Sequence, residues 1–284
     1  MATAPERAAE YHQDPGPVPS LSSTIARLLI AKTPAHAKAA HPRLTPDAPR
    51  RDTDATDMGT AVHQLLLRDD RVDVLDFDSY RTNDAKAARD LSRAAGRVPM
   101  LAHKWEEANA IAQAVRERIA DLNLNPVPFT EGTAEHVIRW EEPGGVCCRA
   151  MLDWLRDDLE FIDDLKTTSD ASPRGFQRKV WSLRYDIQAA FYIRAVATPP
   201  FPTPRFRWVA VETEYPYLVT VHELDKHALA NAHERVTQAI DLWRQCMDTD
   251  FWPGYTDAVC EVGAVPWERD AWAELDVDYG DVPF

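Results

Sequence analysis

No stretch of this sequence approaches the roughly 20 consecutive apolar residues that a membrane span requires. Its opening, MATAPERAAEYHQDPGP, has no apolar core of the kind a secretory signal needs. Basic residues are outnumbered. The chain carries 32 Lys and Arg against 46 Asp and Glu, a formal charge of −14, which excludes a bulk basic coat for nucleic acid. Any nucleic-acid contact therefore has to come from a local patch. The four cysteines, Cys147, Cys148, Cys246 and Cys260, are too few and too unevenly spaced for a disulfide scaffold. There is no Gly-x-x-x-x-Gly-Lys-(Ser/Thr) loop to cradle ATP phosphates, and no internal repeat. The expectation is a cytoplasmic protein that uses neither membrane nor ATP.

What remains is an ordinary globular composition, 45% hydrophobic and 27% charged over 284 residues. Residues 1–19 hold four prolines and no apolar periodicity, which predicts a flexible arm. Residues 257–284 set eight acids against Arg269 alone and form an acidic tail that holds half of the net charge. Between them, 20–256 read as one layered domain. Leu21, Ile25, Leu28 and Leu29 fall at helical spacing behind a serine-rich cap, and the proline-containing 34–56 reads as loop. Helices are predicted over 57–68 and 99–122. AEHVIRW, VCCRAMLDWL and LEFIDDLK are rich in β-formers and separated by turn sequences. Helices over 173–181 and 183–197 follow, then the strands FRWVAVET and YLVTVHEL, then a closing helix over 225–247. This order of elements predicts a layered α+β or α/β domain.

The chemistry gathers in Met151-Leu-Asp-Trp-Leu and Phe161-Ile-Asp-Asp-Leu-Lys-Thr-Thr. As a hairpin these segments bring Asp153 beside Asp164, and strand alternation puts Asp164 and Lys166 on one face and Asp163 on the other. Two carboxylates can hold Mg²⁺, which activates water and offsets charge growing on a phosphate, while a lysine orients or deprotonates that water. A D-x-K strand taken alone reads far more often as a surface salt bridge than as a catalytic pair. Residues 174–207 carry seven basic residues against Asp186 alone, and Arg174, Arg178, Lys179 and Arg184 are the candidate phosphate contacts. A weaker second track is Arg81, Lys86, Arg89, Arg93, Arg97 and Lys104.

Asp153 followed by Asp164-Leu165-Lys166 resembles the core of the PD-(D/E)xK nucleases, with Leu152 where the motif's name has proline. Gly59-Thr-Ala-Val-His63 resembles the G-x-x-x-H helix of their RecB-like branch, and Gln188-Ala-Ala-Phe-Tyr192 its Q-x-x-x-Y helix. Leu21-Ser-Ser-Thr, Pro34-Ala-His-Ala and Val211-Glu-Thr-Glu-Tyr-Pro-Tyr-Leu-Val add to a likeness with the RecE-type exonucleases over about residues 11–255.

The resemblance implies an α/β fold with a central mixed β-sheet flanked by helices. It makes His63, Glu135, Asp153, Asp164 and the Leu165 carbonyl the shell of a Mg²⁺ ion, with Mn²⁺ as a substitute, and Lys166 the catalytic lysine. Gln188, Tyr192 and Tyr185 would support the site and contact DNA. It further implies attack on double-stranded DNA ends from 5′ to 3′, leaving 3′ single strands. The implied partners are a RecT-like single-strand annealing protein and further copies of the chain in a ring, with a tetramer among the ring sizes. Two other readings stay open. One is a RecB-like nuclease of different specificity, acting on single strands or processing CRISPR spacers. The other is a non-catalytic module that binds DNA or docks a partner. Some RecB-like nucleases hold an iron–sulfur cluster on four cysteines, but adjacent Cys147 and Cys148 point to opposite faces of a strand and do not suit one.

Overall fold

The computed structural model describes residues 11–48, 54–67, 72–197 and 203–263. Its centre is a mixed sheet. The long hairpin β4 (Gly132–Glu142) and β5 (Val146–Arg156) turns at Gly144-Gly145, both at positive φ. The other edge of β5 is shared by β1 (Leu21–Ser22), parallel at Leu21↔Cys148, and β6 (Phe161–Thr168), antiparallel at Trp154↔Asp163. Next come β7 (Arg205–Glu212), parallel to β6, and β8 (Val219–His222), antiparallel to β7.

Helices cover both faces of the sheet. One face packs against α1 (Ser23–Ala31), α6 (Pro173–Ser182), α7 (Tyr185–Val196) and α8 (Lys226–Thr249), through Ile25, Leu152, Ile162, Phe176, Ile187, Phe191, Trp208 and Trp243. The other packs against α3 (Asp54–Leu67) and α5 (Ala102–Asp121), through Val62, Ile111, Val115, Leu165, Val209 and Val211. Strand parity dictates this division. Phe206, Trp208 and Ala210 feed the first core, and Val209 and Val211 feed the second. The expected α/β layering with a mixed sheet is the observed one.

Several local expectations are corrected. Residues 34–40 form a helix, α2 (Pro34–Ala40), because Pro34 occupies its first turn, where no N–H is needed, and the Thr33 side chain caps it. The 99–122 helix begins only at Ala102, since Val98–Leu101 is a strand, β3, parallel to β2 (Val72–Leu75). The crossover between them is α4 (Asn83–Ala94), capped by Thr82. The second half of the presumed arm is packed. Tyr11 and Asp14 are buried, and Asp14 accepts from Ser20 N–H at 2.9 Å and Ser20 Oγ at 2.6 Å. Residues 1–10 and 264–284, the rest of the arm and most of the acidic tail, lie outside the described residues. Among those described, no helix is long and apolar enough to cross a membrane.

Candidate active site

β5 and β6 pair only at Trp154↔Asp163 and Leu155↔Ile162, then part, and the site lies in the parting. Asp153 stands at the split. Its Oδ2 accepts the Leu165 N–H at 2.9 Å, standing where a main-chain acceptor would be if the ladder continued. Alternation along β5 slips here. Leu152 and Leu155, three apart, both lie in the first core, whereas a regular pleat would send them to opposite faces. Across from Asp153, Glu135 takes φ +47°, a left-handed backbone rare for glutamate, and the β4–β5 ladder passes over this rung. Backbone strain of this kind concentrates at functional sites.

Asp164 and Lys166 project from the first-core face of β6, and the Lys166 ammonium is hydrogen-bonded to Asp164 Oδ2. From α7, Gln188 Nε2 donates to Asp164 Oδ1 at 3.1 Å and to Tyr192 Oη at 3.3 Å, one helical turn away. Ser23 Oγ on α1 reaches Tyr192 Oη at 3.5 Å. The Tyr185 ring centroid is 5.0 Å from Lys166 Nζ. His63 comes from the other layer. Its helix lies so close to β6 that a Cβ on Gly59 would sit 3.2 Å from Thr167 Oγ1. One turn on, His63 Nε2 is 3.0 Å from the Leu165 carbonyl oxygen and Nδ1 is 3.5 Å from Asp153 Oδ2. The G-x-x-x-H spacing thus has a packing cause.

Burial dominates the electrostatics. It raises the pKa of Asp164 to about 6, with Asp153 adding to the rise and Lys166 and His63 opposing it. Burial also raises Asp153, against the Lys166 charge and the Leu165 N–H. For Lys166 burial works downward, but Asp164 and Asp153 outweigh it and hold the ammonium above its ordinary value. Two carboxylates short of compensating charge therefore face one protonated lysine.

Asp163 points away from this group. Arg207 grips it with Nε at 2.6 Å and a second nitrogen at 3.0 Å, and the Phe129 N–H donates at 3.1 Å. Much of the basic segment is likewise engaged in the fold: Arg194 holds Glu142, Arg205 holds Glu223, and Arg184 holds buried Asp186 at 2.8 Å. Arg174 and Arg178 remain exposed on α6, and Lys179 donates to Thr168 and Ser169 at the end of β6. On the second track Arg89, Arg93, Arg97 and Lys104 each pair with a nearby acid. A side chain missed by sequence reasoning is Arg27 on α1, 5.2 Å from the Tyr185 centroid. Its only signal was its place one turn beyond Ser23 on an amphipathic helix.

Among the described residues no three His, Cys, Asp or Glu side chains form a ready-made metal cluster. Lys166 occupies Asp164, and His63 lies against the Leu165 carbonyl. By chemistry the donors still fit a divalent ion, because carboxylate and carbonyl oxygens beside an imidazole suit Mg²⁺ or Mn²⁺. The raised carboxylate pKa values mark a place where added positive charge would be favourable. The four cysteines are free thiols.

The family described as a PDDEXK-like domain of unknown function (DUF3799) matches residues 22–263. A crystal structure from Eubacterium rectale, described as a candidate exonuclease, superposes with a TM-score of 0.58 at 13% identity, covering 89% of this chain and 93% of that one. The likeness is one of fold. A phage-related exonuclease from Haemophilus somnus 129PT covers 82% of this chain and 96% of its own at 13% identity, but its TM-score of 0.33 is too low to build on. No curated protein matches the sequence.

Proposed function

The chain belongs to the PDDEXK-like domain family matched over residues 22–263, and from that membership we propose that it is a metal-dependent exodeoxyribonuclease acting on linear duplex ends. The observation that carries the proposal is the meeting of Asp153, Asp164, Lys166 and the Leu165 peptide at the parting of β5 and β6. Asp153, Asp164, the Leu165 carbonyl and His63, with Glu135 across the strand, are the residues that would hold the ion. When bound, a divalent cation would lower the pKa of an attacking water and offset charge on the phosphate.

The chain's own groups do the rest. Lys166 keeps its proton on Nζ, so it acts as a donor that orients the water and stabilises the oxygens of the pentavalent phosphorus. Gln188 fixes the angle of the Asp164 carboxylate, and Tyr192 fixes Gln188. The Tyr185 ring, 5.0 Å from the ammonium, favours its positive charge.

Polarity from 5′ to 3′, assembly into a ring and handover to an annealing protein belong to the same proposal and rest on the RecE-type motifs. Linear duplex labelled separately at its 5′ and 3′ ends, digested with Mg²⁺ beside a closed circle, tests it. Early loss of the 5′ label with an intact circle is expected. Cutting of the circle would make the protein an endonuclease, and no cutting with Mg²⁺ or Mn²⁺ would remove the catalytic reading altogether.

A further inference from the structure

Among the described residues, arginines that lie partly or wholly away from solvent hold an acid: Arg93 holds Asp57, Arg149 Asp14, Arg184 Asp186, Arg194 Glu142 and Arg207 Asp163. Arg27 is the exception among the described residues. It is half-buried, its Nε is cut off from solvent with no hydrogen-bond partner, and it forms no ion pair. Its guanidinium lies 5.2 Å from the Tyr185 centroid, the ring that Lys166 Nζ approaches to 5.0 Å. The acids within electrostatic reach, Asp164 and Asp186, are already engaged by Lys166 and Arg184.

Burying a guanidinium without a counter-ion is costly, and the cost is recovered when an anion arrives. Its planar fork of donors suits the paired oxygens of a phosphate. Ser23, one turn earlier on α1, touches Tyr192, so the Arg27 face of the helix is seated against the Q-x-x-x-Y helix and not turned to open solvent. On the Q-x-x-x-Y helix itself, the Gln188 Oε1 is another buried polar atom without a partner.

We propose that Arg27 is an anion site of the active centre, taking a phosphate of the DNA strand that lies across Lys166 and Tyr185. The proposal rests on the nuclease reading for its ligand but not for its geometry. The phosphate is either the terminal one or an internal linkage, and the two sources separate by experiment.

The test measures binding of fluorescent oligonucleotides by anisotropy to the full chain carrying Lys166→Ala, which prevents cutting, with and without Arg27→Gln. A loss of affinity of about 100-fold is expected for a charge-assisted contact, with part of it restored by Arg27→Lys. The probes carry a 5′-phosphate, a 5′-hydroxyl, or a single neutral methylphosphonate at successive linkages. One of these changes should weaken binding as much as Arg27→Gln does and have no further effect once Arg27 is gone. Which change does so identifies the source. The oligonucleotide series alters the ligand only, so it reads out even if Arg27→Gln misfolds. Unchanged binding across the whole probe series, or probe effects that persist in full in a folded Arg27→Gln protein, overturns the site. If wild-type protein cuts nothing but the Arg27 cycle holds, the nuclease reading fails and the anion site stands. If wild-type and Arg27→Gln proteins cut and bind alike, the reverse is true.

Discussion

Asp14 and Asp164 are almost equally hidden, 1% and 0% exposed, yet their surroundings treat them in opposite ways. Asp14 has Ser20 N–H and Oγ, His41 at 3.4 Å and Arg149 at 3.1 Å. Burial alone would raise its pKa, but these partners outweigh it and bring the group to about 2. Asp164 has Lys166 and Gln188, but also Asp153 beside it, and burial wins, at about 6. The first acid is charged because the fold supplies more positive charge and donors than it needs. The second is left short. A satisfied buried acid holds a structure together, whereas an under-compensated one marks a place where added positive charge would be favourable.

The contrast breaks most visibly on substitution. Asp164→Asn should lower the cleavage rate by about 1000-fold or more without lowering the metal-free melting temperature, because its charged form is the one the fold disfavours. A marked drop in melting temperature would place Asp164 with Asp14 as a structural acid. Asp14→Ala should cost about 3–5 kcal/mol in chemical denaturation, since it strands buried Arg149. It should also open residues 11–20 to proteases. A loss below about 1 kcal/mol would mean that Arg149 has a sufficient second anchor.

Titration sharpens the comparison at an effect of about 2 kcal/mol for each group. The stabilisation from Asp14, whose folded pKa is depressed, is present above about pH 4 and lost as pH falls towards 2. For Asp164 the folded pKa is raised, so stability is greatest below about pH 4 and lost as pH rises through 6. In chelator, the stability gained by Asp164→Asn should therefore grow between pH 4 and 6, and the deficit of Asp14→Asn should shrink only below pH 4. Parallel slopes would erase the distinction. The smallest effect belongs to an exposed pair. Arg97→Ala, which frees Asp73, should change stability by less than about 1 kcal/mol and alter DNA affinity little. A large affinity loss would restore the second basic track as a DNA contact.

The sequence made much of this site legible because its chemistry is tied to spacing. Parity on β6 separates Asp163 from Asp164, and one helical turn joins Gln188 to Tyr192. Turn and cap signals place most of the long elements. What escaped has physical causes. Pro34 reads as a breaker until it is seen to open a helix. Val72–Leu75 and Val98–Leu101 are four-residue strands, too short for a period to show. Asp14 and Tyr11 sit in a proline-rich stretch of low hydrophobicity, and their partners Arg149 and Ser20 are far off or ambiguous in sequence. The slip at Asp153 opposite Glu135 interrupts the regularity that pattern reading assumes. Arg27 looks like any basic residue on the flank of an amphipathic helix.

The pairing of Leu21 with Cys148, and the core shared by Leu21 and Trp243, also bear on time. A ribosome adding roughly 5–20 residues per second finishes α1 many seconds before it supplies β5, α7 and α8. Until then Ser23 and Arg27 have no Tyr192 or Tyr185 to meet, and Asp153 has no Leu165 to hold. The site can form only once β6 and α7 have emerged to meet α1 and β5, so shorter chains released during synthesis would carry the first motifs without the geometry that joins them.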